Sequence, residues 1–384
     1  MKNVPKLRFK GFSDEWEEKK LGDLIEERND KTADRDKYPL YSLTIEDGVV
    51  PKTERYERDF LVKKDENFKI VYKNDFVYNP MNLRFGALAL YKGDIPVSVS
   101  GYYNVFYFYN NMVSEFWNNY LKTERMFYVY NTIATGSLVE KKRVHYSQFK
   151  ELNLKIPSLQ EQQKIANFLT KVDKIIEKQD EKVENLEKYK KGMMQKIFSQ
   201  EVRFKKDDGG EYLEWEEMIL NDLCLIQKGE QCNKSELLVD GLYYVLNGGI
   251  TPSGFMDKYN TEMNTISISE GGNSCGFVKF NFDRFWSGGH CYTLLNLKKN
   301  VFTKYLYHYL KYKESYIMAL RVGSGLPNIQ KKALALFGVY LPCLEEQQKI
   351  ADFLSNIDTI IEKEKQKLEA LREWKKGLLQ KMFV

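Results

Sequence analysis

An apolar stripe with spacings of four and three runs through this chain twice. Between residues 154 and 198 it falls on Ile165, Leu169, Val172, Ile176, Gln179, Val183, Leu186, Lys190, Met193 and Ile197, and eight of these ten are apolar. Between residues 339 and 383 it falls on Ile350, Leu354, Ile357, Ile361, Glu364, Leu368, Leu371, Lys375, Leu378 and Met382, again with eight apolar. A stripe of this period and length predicts a long helix whose seam packs on another helix, as in a coiled coil. Pro157 and Pro342 precede the helices and no proline interrupts them. Each helix would reach roughly 60 Å, from about 40 residues at 1.5 Å each. Ser158 with Glu161 fits a capping box, whereas Cys343 with Glu346 predicts a weaker cap.

The two stretches are copies. At a constant offset of 185 they align without a gap, with 24 of 45 positions identical. A fixed-period repeat of this kind sets the organisation of the whole chain. The first helix leaves one domain and feeds a second; the second helix leaves that domain. Packed on each other, they run antiparallel, in a pseudo-twofold and circular arrangement. Polar residues break the seam at matched places, Gln179 with Glu364 and Lys190 with Lys375. Lone polar seam residues fix register or partner at a cost in stability, and they also occur where a seam opens to water.

Outside the helices the pattern changes to short runs near period two, punctuated by Gly and Asn. Strands are predicted over 38–43, 68–72, 75–78, 87–91, 95–98 and 103–109, then over 242–246, 265–268, 276–280 and 291–296; helices are predicted over 118–130 and 303–318. Each domain opens on Glu-Trp-Glu-Glu, at 15–18 and 214–217, followed by Leu-x-Asp-Leu. That motif reads as a short amphipathic helix anchored by its Trp. The domain ends converge at the same offset: Val144, Phe149, Leu152, Leu154 and Ile156 match Ile329, Leu334, Phe337, Val339 and Leu341, and Gly136-Ser137 matches Gly323-Ser324 with a two-residue gap. The expected boundaries are 1–157 for the first domain, 158–199 for the first helix, 200–213 for a polar linker, 214–342 for the second domain and 343–384 for the second helix.

Composition narrows the chemistry. Hydrophobic residues make up 43% of the 384, which suits globular cores. A net charge of +5 does not by itself demand a nucleic acid. Five cysteines without a CxxC pattern suit free thiols in a reducing cytoplasm. The start of the chain lacks the apolar run of a signal peptide, and no stretch approaches the length of a membrane span, so a cytoplasmic protein is expected. Only His145, His290 and His308 are present, without metal-ligand spacing. No P-loop, strand–GxGxxG–helix unit or GxSxG occurs. Asn79-Pro80-Met81 is only faintly similar to the NPPY-type motif of amino-methyltransferases and has no cofactor-binding glycine motif beside it. A binding protein without metal or catalytic centre is the expectation.

The IPxLxEQxxI run entering each helix, at 156–165 and 341–350 (where Leu replaces the first Ile), resembles the specificity (HsdS) subunits of type I restriction–modification systems. The duplicated helix, the diverged domains and the paired openings extend the resemblance over nearly the whole chain. It implies mixed α/β target recognition domains, each reading one half of an asymmetric bipartite sequence in double-stranded DNA. It implies helices that set the spacing and dock two methyltransferase subunits, with two restriction subunits joining them. The chain itself would be non-catalytic and bind no cofactor; S-adenosylmethionine would belong to the methyltransferase subunits, and ATP with Mg to the restriction subunits. The competing reading is a two-headed protein–protein scaffold.

Base readers are Arg, Asn, Gln or Ser on loops that enter a groove, with Lys and Arg on phosphates. In the first domain Thr44, Asn79, Asn82, Arg84, Ser100 and Tyr102 are candidates, with Lys141, Lys142 and Arg143 as phosphate contacts. In the second, Asn247, Ser269, Asn273, Ser287, His290 and Asn328 are candidates, with Lys331 and Lys332 nearby, and Glu270 suits a cytosine amino group. The same residue types also cap turns and cover solvated surfaces. The shared Glu-Gln-Gln-Lys at 161–164 and 346–349 is expected at the domain–helix junction or in partner docking.

Overall fold

The computed structural model describes residues 4–52, 68–109, 112–138, 141–323, 325 and 327–383. The chain forms two compact units. Unit 1 holds residues 1–179 and 367–384; unit 2 holds residues 180–366. Ser324, half of the matched Gly-Ser pair, lies outside the described residues.

The elements through the first long helix, which crosses from unit 1 into unit 2, are β1 (Glu17–Lys20), β2 (Ile25–Glu27), β3 (Lys31–Thr32), β4 (Tyr41–Thr44), β5 (Gly48–Pro51), β6 (Phe68–Val71), β7 (Phe76–Tyr78), β8 (Leu88–Leu90), β9 (Val97–Val99), β10 (Asn104–Phe108), α1 (Ser114–Tyr120), α2 (Glu124–Ile133), α3 (Tyr146–Lys150), β11 (Asn153–Ile156) and α4 (Leu159–Phe198). Sheet order is β2-β10-β7-β8 and β3-β6-β9, with two-stranded pairs β1-β11 and β4-β5. All are antiparallel. The core of unit 1 buries Trp16, Phe76, Phe106, Phe116, Trp117 and Tyr120 with Leu169 and Val172 of α4.

Then come β12 (Glu216–Ile219), α5 (Leu220–Leu223), β13 (Leu225–Lys228), β14 (Tyr243–Leu246), β15 (Gly254–Met256), β16 (Thr265–Ser269), β17 (Val278–Asn281), β18 (Trp286–Ser287), β19 (Cys291–Leu295), α6 (Thr303–Tyr312), α7 (Glu314–Ala319), α8 (Lys331–Ala335), β20 (Gly338–Leu341) and α9 (Leu344–Met382). The main sheet runs β13-β19-β16-β17, beside β15-β14-β18 and the pair β12-β20. Its order repeats that of β2-β10-β7-β8. The core of unit 2 packs Trp215, Tyr305 and Tyr309 with Phe198, Ile350 and Leu354.

Within unit 2, α4 and α9 pair antiparallel: Lys182 meets Glu364 at 3.2 Å and Lys190 meets Asp358 at 2.5 Å, so α9 numbers fall as α4 numbers rise. Within unit 1, Lys375 meets Asp173 at 2.5 Å. This is the same pair with the helices exchanged, because 173 + 185 = 358 and 190 + 185 = 375. The seam lysines therefore reach a carboxylate on the partner helix. Val183, Ile357, Ile361 and Leu368 are buried, while Ile176, Leu186 and Leu371 are half-buried at the seam margin.

Five expectations are corrected. The Glu-Trp-Glu-Glu openings are strands: β1 pairs with β11 and β12 with β20, and the Trp before each strand is buried. Their charged residues have low strand propensity, and backbone pairing to the returning strand overrides it. The helix predicted over 118–130 is two: α1 begins earlier, and Thr123 caps α2 by accepting from Met126 N. The helix over 303–318 likewise breaks at Lys313, between α6 and α7. The capping box at α4 is half made: Ser158 Oγ accepts from Glu161 N at 3.4 Å, but the Glu161 side chain turns to Arg8. The stretch expected as a linker, 200–213, folds onto unit 2 through Arg203, Phe204 and Tyr212.

Candidate nucleic-acid interface

Each main sheet places one loop in the same position. In unit 1 the loop after β7 starts at Asn79, whose N–H donates to Ala87 O at 3.0 Å. In unit 2 the loop after β16 starts at Ser269, whose N–H donates to Phe277 O at 2.9 Å. The next residue in each, Pro80 or Glu270, accepts at its carbonyl from Val144 N (2.9 Å) or Ile329 N (2.8 Å). Each loop ends on a glycine with positive φ, Gly86 at 98° and Gly276 at 91°. A Cβ at Gly276 would meet Met318 Cα at 2.8 Å, so the loop closes only with glycine there. Two sets of candidates thus share one framework position, at offset 190 rather than 185.

In unit 2 the candidates converge. Ser269 Oγ donates to Gly248 O at 2.7 Å, His290 N donates to Asn247 Oδ1 at 3.1 Å, and Glu270 N donates to His290 O at 2.9 Å. Gly271 and Asn328 form a backbone bridge beside them. The approach is close: a Cβ at Gly288 would lie 2.6 Å from Asn247 Oδ1. Asn273, His290, Asn328, Lys331 and Lys332 are exposed and Asn247 is half-buried, whereas Ser287 is buried. Glu270 is buried and ion-paired: Lys228 Nζ lies 2.5 Å from Oε1, and the Tyr292 hydroxyl lies 3.2 Å from the same oxygen. Burial foremost, then Glu270, pushes the Tyr292 hydroxyl up to about 12. Lys228 and Tyr292 carry no motif in the sequence; only the pairing of β13 and β16 to β19 brings them to Glu270.

In unit 1 several candidates are used internally. Asn79 Oδ1 accepts from Met81 N (3.0 Å) and Asn82 N (3.4 Å), shaping the turn. Arg84 is buried and donates to Asn131 Oδ1 at 3.2 Å. Thr44 Oγ1 accepts from Asp47 N, and Ser100 Oγ from Tyr102 N. Asn82, Tyr102, Lys141 and Arg143 are exposed and Lys142 is half-buried. Arg143 pairs with Thr135 through both backbone groups, one residue before the Val144 contact to Pro80. The basic run therefore flanks the loop. Exposed Phe85 belongs to the loop itself, Phe127 of α2 lies against Gly86, and nothing in their local sequence marks them.

The Glu-Gln-Gln-Lys copies serve the junctions. Glu161 accepts from Arg8 Nε and Nη2, each at 2.7 Å; Glu346 accepts from Arg203 and the Trp215 indole N–H. Gln162 and Gln347 donate to Pro157 O and Pro342 O. The far ends of the helices line matched clefts: Lys375, Lys376, Leu379 and Gln380 in unit 1, about 330 Å³, and Lys190, Lys191, Met194 and Gln195 in unit 2, about 570 Å³. Among the described residues no group of three or more His, Cys, Asp or Glu is placed to hold a metal ion, and no helix is long and apolar enough to cross a membrane.

The chain matches the family model of the type I restriction modification DNA specificity domain twice, over residues 13–187 and 212–373. It is 25% identical to the putative type I restriction enzyme MjaX specificity subunit of Methanocaldococcus jannaschii, over 98% of this chain and 95% of that protein. A putative type I specificity subunit of Mycoplasma pneumoniae is 34% identical over 44% of this chain; that match spans 45% of the relative, less than half its length. The type I restriction–modification S subunit of M. genitalium has a similar fold, with a TM-score of 0.66 at 18% identity over 99% of both chains.

Proposed function

From the premise that the chain belongs to the type I restriction–modification DNA specificity family, we propose that it selects the DNA target of a methyltransferase or restriction complex, as two readers of unlike half-sites. The chain is the non-catalytic partner, and it acts by binding. The carrying observation is the matched loop: one framework position, held by the same backbone bonds, presents Asn79-Pro80 in unit 1 and Ser269-Glu270 in unit 2. Two readers that share a scaffold and differ in that loop suit an asymmetric, bipartite sequence. The exposed polar groups around each loop are the base readers, and Lys141, Arg143, Lys331 and Lys332 are phosphate contacts.

The paired helices set the distance between half-sites. The matched clefts at Lys375-Lys376 and Lys190-Lys191 support docking of two equivalent methyltransferase subunits, to which two restriction subunits are added. S-adenosylmethionine enters with the former, and ATP with Mg enters with the latter.

The test is selection from random duplex DNA by this chain co-expressed with a methyltransferase subunit. Two short, different motifs at a constant gap are expected, with binding that weakens steeply as salt rises. Exchanging residues 79–86 should change one motif and leave the other and the gap intact. An assembled complex that enriches no sequence would overturn the reading in favour of a protein scaffold.

A further inference from the structure

Unit 2 holds an arrangement that its counterpart lacks. The Glu270 side chain is 12% exposed, with Oε1 taken by Lys228 and Tyr292. Oε2 is sealed from solvent without a hydrogen-bond partner, and His290 Nδ1 lies 3.5 Å from it. A carboxylate only accepts, so a proton on the imidazole nitrogen nearest it is the arrangement that stabilises the pair. In the neutral ring the opposite nitrogen, Nε2, is then a bare acceptor. The ring belongs to a side chain that is 59% exposed, on a backbone pinned at both ends: His290 N donates to Asn247 Oδ1, and its carbonyl accepts from Glu270 N. Gly248 packs against the His290 Cβ; a Cβ added there would lie 3.0 Å away.

An outward-facing acceptor selects among partners. A phosphate offers no hydrogen for it. In the major groove the donors are the exocyclic amino groups, N6 of adenine and N4 of cytosine. The Lys228 ammonium also balances the Glu270 charge, so the carboxylate does not drive the phosphates away.

We propose that His290 is a specificity-determining residue of unit 2, its Nε2 accepting a hydrogen bond from the exocyclic amino group of one base, and that Glu270 is the positioning residue that sets its tautomer. The inference rests on the DNA-reading function above. Unit 1 carries Pro80 at the place of Glu270, so its half-site is read by other means.

The test uses the assembled complex with its methyltransferase subunits. The wild-type selection first defines the two half-sites; a wild-type complex that enriches nothing overturns the proposed function and this inference with it. His290→Ala should flatten preference at one position of one half-site, by about tenfold, and leave the other half-site unchanged. Glu270→Gln replaces an acceptor with an amide that can donate to Nδ1. The tautomer then inverts, Nε2 becomes a donor, and preference at that position should move to guanine or thymine; loss of packing alone would not redirect it. Purine in place of adenine, or 2-pyrimidinone in place of cytosine, removes the amino group and tells which base is read. Wild-type affinity should fall about tenfold for one of them. An unchanged motif in His290→Ala, or wild-type indifference to amino removal throughout that half-site, overturns the inference alone.

Discussion

At the junction of unit 1 the buried Glu161 is held by Arg8, and the Trp16 indole N–H has no hydrogen-bond partner among the described residues. At the junction of unit 2 the buried Glu346 is held by Arg203 and also by the Trp215 indole N–H at 3.1 Å. The same difference in filling recurs higher in each unit. Phe383 packs on Phe116 and Tyr120, as Phe198 packs on Tyr305 and Tyr309; within these matched helices the buried polar residue is Asn119 in one and His308 in the other. Duplication has kept the frame, while the polar groups inside it have drifted. Stability and pH response should therefore differ between units that share an architecture.

The largest difference is expected at the junctions. Arg8→Ala leaves Glu161, 1% exposed, as an uncompensated buried charge, which costs about 3–5 kcal/mol. Arg203→Ala leaves Glu346 with the Trp215 N–H still donating. Its cost should be smaller by about 1.5 kcal/mol, the worth of one hydrogen bond to a charged group. Peptide-resolved hydrogen exchange on the two variants reads each unit separately. Equal losses in protection would show that the indole contributes nothing to holding Glu346.

The next difference lies in acid. Burial, with smaller contributions from Lys190 and Lys304, lowers the His308 imidazole to about 3. Unfolded, it titrates at about 6.5. Above pH 6.5 both states are neutral and the group adds no pH dependence. Between 6.5 and 3 the unfolded chain takes a proton that the folded one refuses, so stability falls with pH by about 1.4 kcal/mol per unit. Below 3 both are protonated and the loss levels off. Unit 2 should therefore weaken between pH 6.5 and 5, above the range where most carboxylates titrate, and His308→Asn should remove that slope. Denaturant titrations at pH 7, 6 and 5 check it; an identical slope in the variant would refute the assignment.

How much of this was legible in the residues depends on what carries it. The helix pair was, because eight of ten seam positions in each copy are apolar and period alone locates them. The junction was legible in part: Glu161-Gln162 and Glu346-Gln347 stand out as copies, and Arg8-Phe9-Lys10 echoes Arg203-Phe204-Lys205 at a different offset, but only the fold brings each arginine to its glutamate. The matched loops were hidden, because Asn79–Gly86 and Ser269–Gly276 share only the closing glycine. What makes them equivalent is backbone hydrogen bonding, to which side-chain identity is blind. Arg84 shows the converse. An arginine in a turn between strands fits a guanine reader, yet burial and Asn131 decide where its guanidinium goes.

The smallest expected effect concerns the seam lysines, which look interchangeable and face different neighbours. Lys190 adds to the lowering of His308 in unit 2; Lys375 adds to the lowering of Lys122 in unit 1, whose ammonium burial brings to about 8. Replacing either with Met removes one partly exposed ion pair, to Asp358 or Asp173, at a cost under about 1 kcal/mol. At pH 7 folded Lys122 is protonated, so Lys375→Met also relieves a like-charge repulsion that is already present. Folded His308 is neutral at pH 7, so Lys190→Met relieves nothing until the pH approaches 3. At neutral pH Lys375→Met should thus be the less costly variant, by a fraction of its ion-pair term. That advantage should disappear above about pH 8, where folded Lys122 loses its proton. A pH-independent gap between the two variants would mean that the lysines act only through their carboxylates, and that the neighbours drawn from the diverged domains do not matter to the seam.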